Sequence, residues 1–434
     1  YSNAEWTNLV KEFETASGKD LKVWAEQWVK QKGLPIIRGG EFRQVSTGKI
    51  LGYELSQTTS QEPIAGENQR RWDLFFNLYI KFPNGKTQVR RQFLGFNGEQ
   101  IWKDDFDYKV IPAFVFPNYQ DYGYGIFLLD EKSRAYVLNN IQHEKDDFLR
   151  SMMWGTLWDS VREAELDPAA YVELVIKNLG VESDESTIST LLSRTATAMN
   201  YYLSDRQREE LAPRLETLLL EKMRAAPTLG QRITFYRAFL NMASTAEARQ
   251  VLKDILDSRF QIPDLSLKTK DKFDIVSRLL ILGDANAPRI LAELEKTETS
   301  DEAKRYAFAA RAGIATAESK AKYWTDFTAN REISESWIEA AFVPFNSIRH
   351  GDLTLPYLER ALAQLPALKR NRKIFFVNGW LAAFIGGQRS AEALRVVDKF
   401  LADNPNLDKD LRLKILENAD ALERAVKIRT RYGV

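Results

Sequence analysis

From Asp130 to the carboxyl end, apolar residues return every three or four positions, and no segment there alternates as a half-buried strand must. Segments 148–161, 171–178, 188–202, 232–242, 246–256, 273–282, 305–314, 337–342, 374–385, 391–401 and 411–426 each carry one apolar face. Short polar breaks separate them: Ser204-Asp205, Asp284-Ala285-Asn286, Gly386-Gly387 and Asp403-Asn404-Pro405. A chain of about fifteen short helices with no strand between them has to bury each helix against its neighbours, which predicts a HEAT/ARM-like α-solenoid of stacked helix pairs rather than a closed bundle. No fixed sequence period accompanies the expected structural repeat.

Upstream of that run the period changes. Segments 50–55, 72–82, 87–94 and 110–116 are rich in β-branched and aromatic residues, and turn signals stand at Gly39-Gly40, Pro83-Asn84-Gly85 and Asn97-Gly98. They predict a small antiparallel β-sandwich of about a hundred residues. Before it, Trp6, Leu9, Val10 and Phe13, then Leu21, Trp24, Ala25, Trp28 and Val29, fall at helical spacing on either side of Ser17-Gly18 and stop at Gly33 and Pro35. The chain is therefore mainly α with a β domain, divided as 1–34, 35–130 and 131–434. Trp154 and Trp158, with Met152 and Met153, belong to the core of the first helical pair.

Composition removes several chemistries. There are 61 Lys plus Arg against 60 Asp plus Glu, no Cys, and His only at 143 and 350. That balance argues against nucleic acid as a partner, and the missing ligands exclude zinc fingers, three-histidine sites and cysteine nucleophiles. No apolar run reaches the length of a membrane helix. A Cys-free chain suits a cytoplasm or a periplasm, so the compartment stays open. His143, Glu144 and Asp147 offer at most a weak divalent-ion site and are better read as acids capping a helix. His350, in Arg349-His350-Gly351-Asp352, reads as a surface residue in a polar turn. Gly123 and Gly125 lead into a strand and cannot form a dinucleotide loop. The cluster Lys369-Arg370-Asn371-Arg372-Lys373 is a solvated turn before an apolar helix, with Arg370 and Arg372 as candidate grips for a peptide carboxylate. Trp72 and Tyr79 serve a sandwich core before they serve a sugar. No pair of carboxylates is singled out, and no catalytic residue can be named.

The opening residues Asn3-Ala4, Trp6, Leu9, 16–21, Trp24, Trp28 and Gly33-Leu34-Pro35 resemble the end of the catalytic domain in the aminopeptidase N family of zinc metallopeptidases. Ser56-Gln57 is similar to that family's Gln-bearing strand. Segment 116–124 with Leu129-Asp130 resembles the opening of its helical domain, 154–159 its first long helix, and 355–360, 411–417 and 422–425 its last third. The resemblance covers nearly the whole chain and favours Asn3-Ala4 as native sequence.

That family's chemistry implies a Gly-x-Met-Glu-Asn loop, a His-Glu-x-x-His helix with a later Glu on zinc, and a Tyr that stabilises the tetrahedral intermediate. None of these motifs is present, so no catalytic or metal residue carries over and zinc is expected in a catalytic domain upstream of Tyr1. The resemblance implies a non-catalytic carboxy-terminal part that caps the active site and controls peptide access, so that single residues leave the amino terminus of peptides. Its partners are then peptides and the missing catalytic domain of the same polypeptide. Asn118 and Asp121 mark the expected seam between sandwich and solenoid, as structural or peptide-contact residues. The competing reading is a stand-alone helical-repeat scaffold that binds a protein or peptide on its concave face. An excised part predicts exposed apolar faces around Trp6, Trp24 and Trp28.

Overall fold

The computed structural model describes residues 4–44, 50–60, 72–95, 100–102 and 110–434. Contacts divide the chain into two compact units, 1–160 and 161–434. Helices make up most of it, and the strands all fall in the first unit. Among the described residues no helix is long and apolar enough to cross a membrane.

The first unit opens with the helix Trp6–Ser17, ended by Gly18 in the left-handed region (φ 66°), where a missing Cβ costs nothing. A short helix, Lys22–Ala25, runs on into a wider turn, Glu26–Lys30. These helices bury little: Val10 and Ala25 are covered, whereas Leu9, Phe13, Val23, Trp24 and Val29 are exposed, and Trp6 stacks on Trp24 with ring centres 6.5 Å apart.

Among the described residues seven strands follow: β1 (Pro35–Gln44), β2 (Ile50–Thr59), β3 (Leu74–Lys81), β4 (Thr87–Leu94), β5 (Gln100–Trp102), β6 (Phe114–Phe116) and β7 (Ile126–Leu128). They form two sheets, ordered β5-β2-β1-β7 and β4-β3-β6. Strand β3 shows why: Leu74, Phe76, Leu78 and Ile80 turn inward and alternate with more exposed residues. They share one core with Ile37, Tyr53, Leu55 and Phe127 of the other sheet. Pro83-Asn84-Gly85 makes the expected β3–β4 turn, with Gly85 at φ 83° donating its N–H to Phe82 O at 2.9 Å.

Two sequence expectations change here. The sheets are not wholly antiparallel, because β7 joins the free edge of β1 in parallel after the chain has crossed through the second sheet. Gly39-Gly40 is not a turn. The pair lies inside β1 where the register with β2 shifts, and a Cβ on Gly39 would sit 2.1 Å from the Tyr53 hydroxyl. The gap lets Tyr53 donate to Asp130 Oδ2 at 2.7 Å, while Asp130 Oδ1 caps the helix Glu131–Asn140 through Ser133 N–H. Asn97-Gly98 lies outside the described residues.

Trp72 is fully buried, its indole donating to Gln27 O at 2.8 Å, and Gln57 makes a reciprocal pair with its backbone at 2.7 and 2.8 Å. Tyr79 packs on Tyr119 at 5.1 Å. Trp72 is committed to packing, whereas Tyr79 is half-buried on the face of β3 opposite the sandwich core. Trp154 and Trp158 are buried as expected.

In the second unit, helices succeed one another from Pro168–Asn178 to Lys409–Tyr432. Asp and Ser or Thr residues cap many of them, for example Asp167, Asp184, Ser204, Thr228 and Ser300. An aromatic core built from Trp324, Phe342, Phe345, Phe376, Trp380 and Phe384 holds the later helices. The Trp380 indole finds Ala361 O at 3.1 Å, so no polar atom is lost on burying it. Each such ring contributes roughly 2–3 kcal/mol of burial.

The last helix also bonds back to the beginning of the unit. Arg429 donates to Leu203 O at 2.8 Å, Tyr432 to Ala164 O at 3.1 Å, and Lys427 pairs with Glu163 at 3.2 Å. Arg389 reaches Asn200 O at 2.5 Å. The unit's first and last elements therefore touch, in addition to the neighbour-to-neighbour packing of successive helices.

Candidate functional site

A groove of about 860 Å³ opens in the helical unit. Five segments far apart in sequence build its wall: 189–201, 234–241, 270–281, 340–348 and 382–387. Small residues such as Ser193, Ala196, Ser277, Ala382 and Gly386 line it, which keeps the space open where larger side chains would meet across it. One wall is shaped by a widened turn, Ala198–Tyr202, at the end of the helix Glu185–Thr197. Such an extra residue in the helical ladder turns its neighbours. Here Tyr201 donates to Gly386 O at 2.9 Å and ties the two sides together.

The groove carries both signs of charge. Lys270 and Asp274 pair at 2.5 Å, and Arg237 lines the same wall. Arg278 lies at the base, donating from Nε and Nη2 to Ala243 O at 3.0 and 2.7 Å; burial and the nearby Arg349 push it down to about 9. Asn346 donates to Phe342 O at 3.1 Å, while its Oδ1 is buried with no donor. A polar wall with an unused acceptor suits the backbone of an extended chain, which brings its own N–H groups.

Behind the groove stands a line of cations. Lys320 is fully buried and donates to Ala312 O and Phe345 O, both at 2.8 Å, joining the ends of two helices. Burial pushes it down to about 7. His350 corrects the surface reading: it is half-buried, with Nε2 2.9 Å from Ile281 O. Burial, then the charge of Lys320, lowers it to about 4, so the neutral ring donates from Nε2. That engagement and those cationic neighbours leave it unsuited to act as a base at neutral pH.

Asn118 and Asp121 come together. Asn118 is buried in the left-handed region (φ 62°), accepts from Gly123 N–H at 2.6 Å, and donates to Gly123 O at 2.9 Å and Asp121 Oδ1 at 3.1 Å. Its amide is thus the internal strut of the loop 118–123. Arg370 and Arg372 lie elsewhere, at the end of the helix Leu365–Asn371. Arg370 is exposed; Arg372 pairs with Glu335 at 3.0 Å and covers the Phe376 ring at 5.1 Å. Lys369 beside them pairs with Asp408 at 2.5 Å. Much of the basic run is therefore matched by acids.

The acids after His143 work as caps. Glu144 Oε1 accepts from Lys145 and Asp146 N–H, Asp146 accepts from Phe148 and Leu149 N–H, and Asp147 pairs with Arg150 at 2.7 Å. Among the described residues no three His, Asp or Glu side chains are grouped to hold a metal.

The sequence profile of the ERAP1-like C-terminal domain family matches residues 114–424. The chain belongs to that family. It is also 27% identical, over 434 residues, to the protein named Aminopeptidase N from Streptomyces lividans, a match that takes in 98% of this chain and 50% of the relative. The chain thus spans about half the length of that relative. The resemblance read from the opening helices, the 116–124 segment and the last third holds: this is a carboxy-terminal region of the aminopeptidase N family.

For an ERAP1-like C-terminal domain the zinc of the family does not fit the residues present. His350 is engaged with a backbone carbonyl among cations, and the acids beside His143 cap a helix. The groove residues themselves had no local signal in the sequence, since its five segments are ordinary amphipathic helix faces; Gly386-Gly387, read as a helix break, was the nearest hint.

Proposed function

We propose that this chain is the non-catalytic half of a zinc aminopeptidase and that it caps the active site and controls which peptides reach it. The observation that carries the reading is the groove of about 860 Å³, walled by five separated helices and polar enough to hold a peptide backbone. Family membership and the match to half of an aminopeptidase support it. In this reading the helix pairs form a HEAT/ARM-like superhelix whose first and last helices meet, with the groove as its inner wall. The domains are 1–34, 35–130 (a β-sandwich) and 131–434. The zinc and every catalytic residue belong to the catalytic domain, and peptides enter past this chain before losing single residues from their amino termini.

The exposed Leu9, Phe13, Val23, Trp24 and Val29 then form the face that the catalytic domain covers. Arg370 is an exposed cation for an incoming peptide carboxylate, Arg372 contributes beside it, and Asn118 with Asp121 shapes the loop where strands give way to helices.

The test is made in the longer enzyme that contains the catalytic half. Ser277→Trp and Ala382→Trp fill the groove. Expected is a loss of about tenfold or more in kcat/KM for peptides of ten residues, with single-residue anilide substrates unaffected. Equal loss on both substrates, or none on either, would sink the access reading.

A further inference from the structure

A second cleft in the helical unit, about 620 Å³, has Arg208, Arg349, Arg389 and Arg429 in its lining. Four helices begin around it: Asp205–Ala225, Ala246–Leu256, Gly351–Ala363 and Ala391–Asp403 contribute Arg208, Thr245, Gly351 and Ser390 from their first turns or caps. Each helix start adds a partial positive charge, where acids are ordinarily preferred. Guanidinium groups gathered there work against the folding of the empty chain.

The cleft's own acids do not balance them. Asp205, Glu209 and Asp352 are exposed, at the solvent side, where water screens them. Glu216 is buried and its charge offsets part of the burial cost of Arg349, but its oxygens are engaged elsewhere and make no ion pair with it: Oε1 accepts from Ser244 N–H at 2.7 Å and Thr245 N–H at 3.2 Å, and Oε2 from the Thr245 hydroxyl at 2.5 Å. Arg208 and Arg389 share the one carboxylate of Asp205, Arg389 at 3.4 Å, and Arg389 and Arg429 also reach backbone carbonyls. Arg349 has none of these: among the described residues it makes no hydrogen bond or ion pair, and its Nε is buried without a partner. Burial and mutual repulsion lower Arg208 and Arg389 each to about 10. Positive charge held out of water without a counter-charge is costly, and an anion removes the cost.

We propose that this cleft is an oxyanion site, in which Arg349, flanked by Arg208 and Arg389, binds a carboxylate or phosphate group. The planar fork of arginine matches both groups with two parallel hydrogen bonds. The cleft is far larger than one such group, so the anion fits either free or as part of a larger molecule. The inference rests on charge and geometry and stands apart from the access reading.

Inorganic phosphate is titrated calorimetrically into the 434-residue chain at constant ionic strength, balanced with sodium chloride. Saturable binding is expected, and Arg349→Gln and Arg389→Gln should each weaken it at least about tenfold. Arg289→Gln, at an exposed arginine outside the cleft, should leave it unchanged. Circular dichroism checks that each variant is folded; should the cleft variants fail that check, Glu209→Gln removes a competing negative charge from the rim and should tighten binding about twofold. Peptides with a free or an amidated carboxyl end then compete against phosphate. Competition by the free form alone assigns a peptide carboxylate, and competition by neither assigns a free oxyanion. Absence of saturable binding by phosphate and by free-carboxyl peptide, native affinity in a folded Arg349→Gln, or no tightening in Glu209→Gln would overturn the proposal.

Discussion

The loop around Asn118 and the cleft around Arg349 both bury polar groups, yet they satisfy them in opposite ways. At Asn118 the amide's donors and its acceptor all find partners within five residues, and the loop is complete as it stands. At Arg349 the buried Nε has no hydrogen-bond partner, and Glu216 answers its charge only from a distance. Lys320 lies between these cases, a buried cation whose ammonium is answered by two carbonyls but by no negative charge. A polar site finished by its own chain is built for stability, whereas one left unfinished is built for something that arrives later.

Five substitutions can break or sharpen that contrast. The largest effect belongs to Asn118→Ala, which strands the N–H and C=O of Gly123 in a buried loop and should cost about 3 kcal/mol in urea unfolding. A cost under about 0.5 kcal/mol would mean that water replaces the amide and that the loop is not self-sufficient.

Lys320→Met comes next, with a cost of about 2 kcal/mol at pH 10 that shrinks toward pH 7. The sign follows from its lowered folded value of about 7 against an unfolded value of 10.5. Between those two the unfolded chain holds the proton and the folded chain does not, so native stability rises with pH across that window and falls as pH drops through about 7. Unfolding free energies of both proteins at several pH values check it, and a difference that stays flat from pH 7 to 10 would refute the account.

Arg349→Met, in buffer free of oxyanions, should stabilise the chain by about 1 kcal/mol, because it removes a buried charge that makes no ion pair and is only partly offset by Glu216. Loss of stability there would place Arg349 with Asn118, as a structural residue. The smallest effects are at the basic turn. Arg372→Ala should cost about 0.5–1 kcal/mol through its half-exposed pair with Glu335 and its cover over Phe376, and Arg370→Ala less than about 0.5 kcal/mol. Thermal melts of the two variants side by side suffice.

Much of the fold was legible because it depends on local spacing. The switch of apolar period near Asp130, the Pro83-Asn84-Gly85 turn and the buried Trp154 and Trp158 all read directly from neighbours in the chain. Helices such as Asp205–Ala225 and Gly351–Ala363 were harder, since each carries an internal proline, Pro213 or Pro356, and the first is also rich in charged residues. Gly39-Gly40 misled for a related reason: a glycine pair signals a turn when viewed locally, and only the Tyr53 hydroxyl crossing from β2 shows that it makes room. His350 looked solvated beside Arg349 and Asp352, but Ile281, sixty-nine residues away, supplies its acceptor.

Family, helical character and the absence of the metal motif were already decided by residue order and spacing, because helix and strand periods and short motifs involve residues a few positions apart. Neither the groove nor the cleft could be found that way. Arg208, Arg349, Arg389 and Arg429 share no spacing, and each would read locally as an ordinary surface arginine, Arg208 and Arg429 on helices, Arg349 in a short turn and Arg389 just before the helix Ala391–Asp403. Their chemistry comes from being brought together out of water, and the energy of a charge depends on its neighbours and its burial, which only the packed helices supply.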